Sequence, residues 1–455
     1  MSKKELERAY LRAKEEIERL KEELAYVKFE LEELRSKRYK AGRKKNPPDD
    51  TGAPPAAPRK KGGLFGHIGW FRKKPATIDK IEKVTLDKCP ECGSDNITEC
   101  KKVLEHIQED IILPKVEVAL YRKHRYYCKD CKKVISANGE DEIPGSYIGP
   151  KAKALAVFLR YAVKISERDV KNLFDKVFNL KIVPSSIAGF RSTLKREALP
   201  IYEKLLEFIR KGPFIHADET GWKIDGINHW LWKFSNKSVC VSHIDKSRGQ
   251  DVVENMIGKK YKGILISDFL GAYNKLEAKA KQRCLVHIGR DLDKVMEYRH
   301  DDKEVMSYCK RLKKILEDAI RLYKKYRGKR WDDGYLRRRM SITRALRDFS
   351  FPNPNKRILT RFAKRLERHK DEILTFLYKR GIDYHNNHAE QQIKPDVIFR
   401  KVTFGNRSPV GAENHSVIMS ILQTAKLNRM DPIDTLTRLL LGGDKNPLSE
   451  VFAPP

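Results

Sequence analysis

The stretch PFIHADETGWKIDGINHWLWKFS, residues 213–235, decides the fold of this chain. Polar and apolar residues alternate on both sides of a turn at Gly226, and this alternation predicts two strands. Downstream, SVCVSHI (238–244) predicts a third strand, DVVENMI (251–257) a helix and GILISDF (263–269) a fourth strand. The centre of the chain is therefore predicted to be an α/β sheet.

Two carboxylates lie at strand ends of this predicted sheet. Asp218 is near the end of the first strand and Asp268 near the end of the fourth. Three antiparallel strands, a helix and a further strand are the ribonuclease H-like order. In that order, carboxylates at the ends of adjacent strands can bind two Mg²⁺ ions for an in-line phosphoryl displacement. Taken alone, each aspartate can also be a strand-end cap.

A third carboxylate is expected on a helix after the sheet. Glu390 lies in YHNNHAEQQIKPDVIFRKVTFGNRS, residues 384–408. Amides and bases flank it: Asn386, Asn387, Lys394, Arg400 and Lys401. Such a set suits a site that holds both metal and a scissile phosphate. The alternative is a solvated helix face.

The charge balance predicts a polyanionic partner. The 455 residues include 95 Lys and Arg against 62 Asp and Glu, a net charge of +33, and phosphate backbone is the expected partner. A hydrophobic fraction of 40% excludes a disordered chain. No apolar run approaches the roughly 20 residues of a membrane span, and the start MSKKELER lacks the apolar core of a secretory signal. We therefore predict a cytoplasmic protein, associated with the nucleoid when bound to DNA, and no membrane partner.

Residues 1–40 predict a coiled coil, and hence a homo-oligomer. Apolar residues recur there in alternating steps of four and three: Leu6, Tyr10, Ala13, Ile17, Leu20, Leu24, Val27, Leu31 and Leu34. The alternative is an amphipathic helix packed on its own domain. Residues 41–80, rich in Pro, Gly and basic residues, predict a flexible linker, which is either an electrostatic arm on DNA or a solvated tether.

Two C-x-x-C pairs predict a zinc-binding module over residues 81–145. Four thiolates suit a structural, tetrahedral Zn²⁺ site with no open position, and a redox role is the alternative. The predicted ligands are Cys89, Cys92, Cys128 and Cys131, and Cys100, His106 or His124 could replace one of them.

A helix-turn-helix DNA-binding region is predicted over residues 146–210. Ser166 and the acids after it indicate the start of one helix, and Pro184-Ser185-Ser186 opens a second, with Ser185 or Ser186 as its cap. The open face of the second helix should carry the DNA-binding residues Arg191, Lys195 and Arg196. Any helical hairpin could show the same pattern.

Five motifs, in this order, closely resemble the transposase of the insertion-sequence-66 family of bacterial and archaeal mobile elements. They are HADETGWKIDGINHWLWKFS (216–235), LISDFLGAYN (265–274), CLVHIGRDL (284–292), NNHAEQQIKP (386–395) and GAENHSVIMSILQTAKLNRMDP (411–432). The resemblance covers nearly the whole chain. It implies a DDE transposase whose acidic triad, holding two Mg²⁺ (or Mn²⁺) ions, is Asp218, Asp268 and Glu390. Glu219 is a less suitable ligand, because neighbouring strand residues face opposite ways.

The distance between Asp268 and Glu390 indicates an insertion in the catalytic fold. We predict a first part of a ribonuclease H-like core at 211–290, a helical insertion at 291–380 and C-terminal helices carrying Glu390 at 381–455. The insertion includes RLYKKYRGKRWDDGYLRRRM (321–340) and should form a basic wall beside the active site. His287 and Arg290 are expected to contact DNA near the cleaved bond, although His287 can instead simply pack.

The implied function is DNA transposition. The protein would bind the terminal inverted repeats, cleave the ends with metal-activated water and join the 3′ hydroxyl to target DNA, alone or with accessory proteins of the element. Two alternatives stay open. One is a non-catalytic DNA-binding or bridging regulator derived from a transposase, and the other is a ribonuclease H-like nuclease that only hydrolyses.

Overall fold

The computed structural model describes residues 116–349, 357–442 and 448–452, together with residues 107–108 and separate positions within 10–31 and 77–95. The chain divides into two compact units, one made of Met1–Arg38 with Lys115–Pro455 and the other of Tyr39–Pro114. Among the helices that can be described, none has a stretch long and apolar enough to cross a membrane.

The predicted coiled-coil seam is seen in part. The described positions within 10–31 are helical. The seam side chains among them are exposed: Tyr10, Ile17, Leu20, Leu24, Val27 and Leu31. Packing on its own domain would bury these side chains, so their exposure favours the coiled coil, which stays a prediction. Leu6, Ala13, Leu34 and residues 41–76 of the predicted linker lie outside the described residues.

A small hairpin carries the second C-x-x-C pair. Strands β1 (Arg125–Cys128) and β2 (Lys133–Ser136) pair antiparallel, and both cysteines lie at the turn between them. Hydrogen bonds from the backbone N–H and the thiol of Cys131 lower the pKa of Cys128, which favours the thiolate form that binds zinc.

The other predicted zinc ligands are seen less completely. Cys92 is exposed and forms no disulfide, and His124 is exposed as well. Cys89, Cys100 and His106 lie outside the described residues. The zinc site therefore stays a prediction.

Helices precede the sheet and share its core. They are α1 (Pro150–Phe158), which continues as a π-helical turn (Leu159–Val163), α2 (Glu167–Val177) and α3 (Pro184–Lys211). Ile187 and Leu194, near the start of α3, and Leu205 and Ile209, near its end, are all buried in one apolar cluster with the strands. The helical region and the sheet are therefore packed together.

The helix starts differ from the prediction in one place. Ser166 caps α2 as predicted, because its hydroxyl accepts a hydrogen bond from a backbone N–H of the first turn. The prediction that Ser185 or Ser186 caps α3 is wrong. Val183 is the cap residue, and Pro184 takes the first helical position, where a residue without an N–H and with a fixed φ fits best.

The central sheet has five strands in the order β5-β4-β3-β6-β7. They are β3 (Phe214–Ile224), β4 (Ile227–Ser235), β5 (Cys240–Asp245), β6 (Lys260–Ser267) and β7 (Glu277–Arg283), with α4 (Gln250–Ile257) between β5 and β6. Strands β3, β4 and β5 are antiparallel, whereas β6 is parallel to β3 and β7 to β6. Asp225 and Gly226 both have positive φ, as a two-residue hairpin turn between β3 and β4 requires.

A helical region follows β7. Its helices are α5 (Leu285–Tyr298), α6 (Lys303–Tyr326), α7 (Asp333–Arg347) and α8 (Arg357–Ile373), followed by a 3-10 turn at Thr375–Leu377. These helices bury an apolar cluster that includes Leu312 and Phe376 and reaches the sheet at Ile264 and Ile266. The region is thus anchored on β6, the strand that ends beside Asp268.

The chain returns to the sheet through α9 (Asn387–Thr403), α10 (Pro409–Leu427) and α11 (Pro432–Leu441). Helix α10 is largely buried and packs on β5. The hydroxyl of Ser420 accepts a hydrogen bond of 2.8 Å from the backbone N–H of Ser242 in β5. The described part of the larger unit is therefore a mixed α/β fold with helices on its five-stranded sheet.

Candidate functional site

Strands β3 and β6 place Asp218 and Asp268 side by side. The two strands are parallel, and their register pairs Phe214 with Ile264 and His216 with Ile266. Asp218 and Asp268 each lie two residues beyond the last of these pairs, so both follow the same end of the paired segment. The charge of Asp268 contributes to raising the pKa of Asp218, as expected for neighbouring carboxylates.

Asn386 fixes the start of the helix that carries Glu390. Its side-chain N–H donates to the carbonyl of Ala217 over 2.7 Å, and its side-chain oxygen lies 3.1 Å from Nδ1 of His216. Its backbone N–H donates to Sγ of Cys284. Helix α9 therefore begins directly against the strand residues before Asp218, and Glu390 follows one turn later.

The three carboxylates share one electrostatic environment. Burial raises the pKa of Asp218 well above its ordinary value, and the charges of Glu219, Asp268 and Glu390 raise it further. Negative charges near a buried carboxyl group destabilise its ionised form. A bound cation would relieve this repulsion.

Glu219, the neighbour of Asp218, has two polar partners of its own. Its carboxylate pairs with Arg248 over 2.7 Å and accepts a hydrogen bond of 3.2 Å from Tyr273. The Arg248 guanidinium also lies 4.1 Å from the ring centre of Trp230. Asp268 also raises the pKa of Glu219, and Glu219 raises that of Asp218, so Glu219 lies close to the other carboxylates, and the choice of Asp218 over Glu219 as metal ligand stays a prediction.

Arg283, the last residue of β7, contacts the end of β6 and links it to α8. This buried guanidinium donates to the backbone carbonyl of Asp268 over 2.7 Å and pairs with Glu372 of α8 over 2.6 Å. Burial alone would raise the pKa of Glu372, but His369 and Arg283 bring it down to about 2. The helical region is thereby linked to the strand end that presents Asp268. Local sequence patterns carried no signal for this link.

A second set of possible metal ligands surrounds Glu390. Among the described residues, the ligand atoms of Cys284, His287 and Glu390 lie within 4.8 Å of one another. Sequence reasoning left open whether His287 contacts DNA or packs, and the structure places it beside Glu390. Cys284 was not predicted, although its C-x-x-H spacing to His287 on one helical turn could have indicated it.

Several buried polar atoms near Glu390 have no hydrogen-bond partner within the part of the chain that the structure describes. They are Oε1 of Glu390, Nδ1 of His287, Nδ1 of His385 and Nε2 of His388. Buried polar groups are normally satisfied by protein, water or an ion. Together with the repulsion that raises the pKa of Asp218, these unpartnered atoms make the residues present suitable for a divalent cation.

Behind the carboxylates, a buried ion pair fastens α9 to the sheet. Nζ of Lys233, which lies opposite Asp218 in the β3–β4 register, is 2.7 Å from Oδ2 of Asp396 on α9. His415 lies 2.9 Å from the other carboxylate oxygen. Burial alone would raise the pKa of Asp396, but Lys233 and His415 hold it below its ordinary value. Asp396 lies six residues after Glu390, so this pair helps to position the third carboxylate.

The predicted DNA-binding residues of α3 are only partly on an open face. Arg196 is exposed, but Arg191 pairs with Glu167 over 2.9 Å and Lys195 with Glu413 over 3.0 Å. The expectation that all three are open is wrong for the two paired residues, because the first turn of α2 and the start of α10 pack beside that face.

The predicted DNA-binding residues near the carboxylates also differ in exposure. Arg290, Lys394 and Lys401 are exposed. Arg400 instead turns toward β3, where it donates to the hydroxyl of Thr220 over 3.2 Å and to the carbonyl of Gly221. Arg400 therefore packs α9 against the sheet, while the other three cations are open to solvent.

Comparisons with known proteins point to one family. The sequence profile described as "Transposase IS66 family" matches residues 145–414, well over half of the chain. This range contains Asp218, Asp268 and Glu390. The chain is also similar to an uncharacterised protein, y4qI, of Sinorhizobium fredii, with 24% identity over 448 residues that cover 88% of this chain and 77% of that protein.

Proposed function

Because the chain belongs to the IS66 family of transposases, we propose that it is a DDE transposase that binds the ends of a mobile element, cuts them and joins them to target DNA. The observation that carries this proposal is the electrostatic influence of Asp268 and Glu390 on Asp218, since the charges of both raise its pKa. It is supported by the parallel pairing of β3 with β6 and by the hydrogen bond from Asn386, four residues before Glu390, to the carbonyl of Ala217.

The strand order supports the proposed catalytic fold. Three antiparallel strands, a helix and two further parallel strands, in the order β5-β4-β3-β6-β7, are the ribonuclease H-like arrangement. The first and fourth strands of this sheet, β3 and β6, lie side by side at its centre. Asp218 and Asp268 both follow the paired segment of these two strands, and this position supports a role in phosphoryl transfer.

We propose that Asp218, Asp268 and Glu390 hold the divalent ions. When bound, such ions supply positive charge that stabilises an in-line phosphoryl displacement. Asn386 and Arg283 keep the carboxylates in position, because each binds backbone or side-chain atoms next to one of them. Both are positioning residues.

Exposed cations near this site would hold the DNA. Arg290 and Lys394 lie near Glu390 in sequence or space and are open to solvent, and Lys401 and Arg196 are exposed as well. Phosphate contacts of this kind give affinity without sequence specificity. They would also offset the repulsion between the carboxylates and the DNA backbone.

We further propose that the exposed seam within residues 10–31 joins two copies of the chain.

One DNA experiment separates the transposase from the two alternatives. We expect the purified protein, incubated with Mg²⁺ or Mn²⁺, a linear fragment carrying the repeats that flank its gene, and a plasmid target, to yield joined products. The 3′ hydroxyl that cleavage frees would attack the plasmid at the same carboxylates. Products are separated on a gel and sequenced across the junctions.

The same gel identifies the other outcomes. Cleavage without junctions would contradict the transposase and favour a nuclease that only hydrolyses. Retarded but uncut DNA would favour a non-catalytic regulator. A fragment of equal length without the repeats is the matched control, and it should not be joined.

A further inference from the structure

A cavity of about 310 Å³ lies among α6, the start of α7, the segment after α8 and the turn between β4 and β5. Its volume is at the lower end of the range for small-molecule pockets, about 300–1,000 Å³. A space of this size can hold one nucleotide, and it is too small for a duplex. Within the described part of the chain, its lining includes none of the proposed metal ligands, and seven of its residues belong to the stretch 321–340, which was predicted to form a basic wall.

The cavity is strongly cationic. Among the described residues that line it, Lys237, Arg327, Lys329, Lys379 and Arg380 are basic. All of these cations are exposed at the rim. Asp383 supplies a carboxylate, and its Oδ1 accepts a hydrogen bond from the hydroxyl of Tyr323. The excess of cations favours a phosphorylated ligand.

The wall of the cavity is a platform of planar groups. The ring of Trp331 stacks on that of Tyr335, with centroids 4.8 Å apart and an interplanar angle of 13°. The guanidinium of Arg380 lies 4.9 Å from the centre of the Trp331 ring. The hydroxyl of Tyr335 donates to the carbonyl of Leu377 over 2.7 Å, which fixes the platform in one orientation. Nucleobases stack on aromatic rings and on arginine planes of this kind.

A short segment of chain connects the cavity to the carboxylate site, because Asp383 lines the cavity and Asn386 and Glu390 follow it closely in sequence. Asp383, in its wall, acts electrostatically on His216 and His388, the pair of rings beside Asn386 and Glu390. The next residue, Tyr384, accepts a hydrogen bond of 2.9 Å from the backbone N–H at the start of α5. A strand of DNA bound at the carboxylates is taken to continue along this segment to the cavity.

We propose that this cavity binds one unpaired nucleotide of the DNA, with its base stacked on the Trp331 platform and its phosphate held by the rim cations. The inference rests on the proposed function, since the bound strand is taken to be the one that reaches the carboxylates. A base must leave the duplex to enter such a cavity, so the site would favour DNA with unpaired nucleotides near its end.

The test is a binding measurement without metal. The probes are a blunt duplex and the same duplex with a short single-stranded extension containing 2-aminopurine, whose fluorescence falls when it stacks. We expect the protein to bind the extended duplex more tightly and to quench the probe. Trp331→Ala should weaken binding of the extended duplex by about 5- to 150-fold, the usual loss for one base-stacking ring, and should abolish the quenching. Binding of the blunt duplex should not change.

Matched variants complete the test. Trp331→Phe keeps an aromatic ring and should retain the preference and the quenching. Arg380→Ala should weaken binding of the extended duplex, whereas Arg321→Ala, which removes an exposed cation of α6 outside the cavity, should not. Equal loss on both duplexes, or no loss on either, would overturn the proposal.

The two proposals can fail separately. A wild-type protein that joins DNA ends but shows no preference for the extended duplex would refute the nucleotide site and leave the transposase assignment intact. Preference and quenching in a protein that cuts nothing would support the nucleotide site and contradict the enzyme.

Discussion

Asp268→Asn is expected to abolish metal-dependent cleavage of DNA ends and to leave DNA binding intact. The substitution removes one of the three converging charges, and loss of a central catalytic group typically lowers turnover by at least about 1,000-fold. The fold should tolerate it. Arg283 binds the backbone carbonyl of residue 268, and the side-chain oxygen that accepts from the N–H of Leu270 is kept in asparagine. Cleavage is measured on a labelled end fragment, and binding by gel shift.

Asp293→Asn is the matched control for this prediction. Asp293 lies on α5, is exposed and pairs with Lys313. The variant makes the same chemical change in the same unit, and it should cleave at the wild-type rate. Undiminished cleavage by Asp268→Asn would remove Asp268 from the catalytic assignment.

Asp396→Asn is expected to cause the largest loss of stability among single substitutions near the site. Both Asp396 and Lys233 are fully buried, and removing one partner leaves the other charge uncompensated. Such losses are typically about 3–5 kcal/mol. The measurement is urea unfolding followed by circular dichroism. Because Asp396 fastens α9 to β4, cleavage should fall as well.

A surface pair provides the comparison. Asp434→Asn breaks the exposed pair with Arg438 and should cost no more than about 1 kcal/mol. Equal losses of stability in the two variants would contradict a stabilising role for the buried pair.

The dependence of stability on acid pH gives a second check of the role of Asp396. Since the pKa of Asp396 is lowered in the folded state, its contribution is present above the unfolded value of about 3.9 and is lost as the pH falls through the folded pKa. The Asp396→Asn variant should not show this loss of stability as the pH falls.

Alternation and turn residues predicted four of the five strands of the sheet, and β7 (Glu277–Arg283) was not among them. The strands around Gly226, the helix after the third strand and the strand ending at Asp268 all follow local patterns, and the structure has each of them. Asp268 directly follows the last residue of β6, as predicted, but Asp218 lies inside β3 (Phe214–Ile224) and not near its end, because that strand continues to the hairpin turn at Gly226. The sequence could still indicate Asp218 and Asp268 as candidates, with Glu390 following from the motif around it.

Contacts between distant segments could not be predicted in the same way. Arg283 and Glu372 are 89 residues apart, and neither residue type nor spacing indicates that they pair beneath Asp268. The pairing of Lys233 with Asp396 could not be predicted either. In the sequence both look like ordinary surface charges, and only the packing of α9 on the sheet buries them together. The prediction that Arg191 is open to solvent was wrong for the same reason, because its partner Glu167 lies on another helix.

Two possible sets of metal ligands share Glu390. Glu390 belongs both to the proposed triad with Asp218 and Asp268 and to the group with Cys284 and His287. Carboxylates suit Mg²⁺ and Mn²⁺, whereas thiolate and imidazole ligands suit softer metals. These two ligand sets can be separated by substitution.

The most direct test is a Mn²⁺ titration followed by electron paramagnetic resonance, in which bound ion is distinguished from free ion. It is made on the wild-type protein and on Asp218→Asn, Asp268→Asn and Glu390→Gln, with Asp293→Asn as the control. If the three carboxylates form one metal centre, each of the three variants loses Mn²⁺ affinity and the control keeps it. Loss in Glu390→Gln alone, with wild-type affinity in both aspartate variants, would contradict the triad and place the ion with Cys284 and His287.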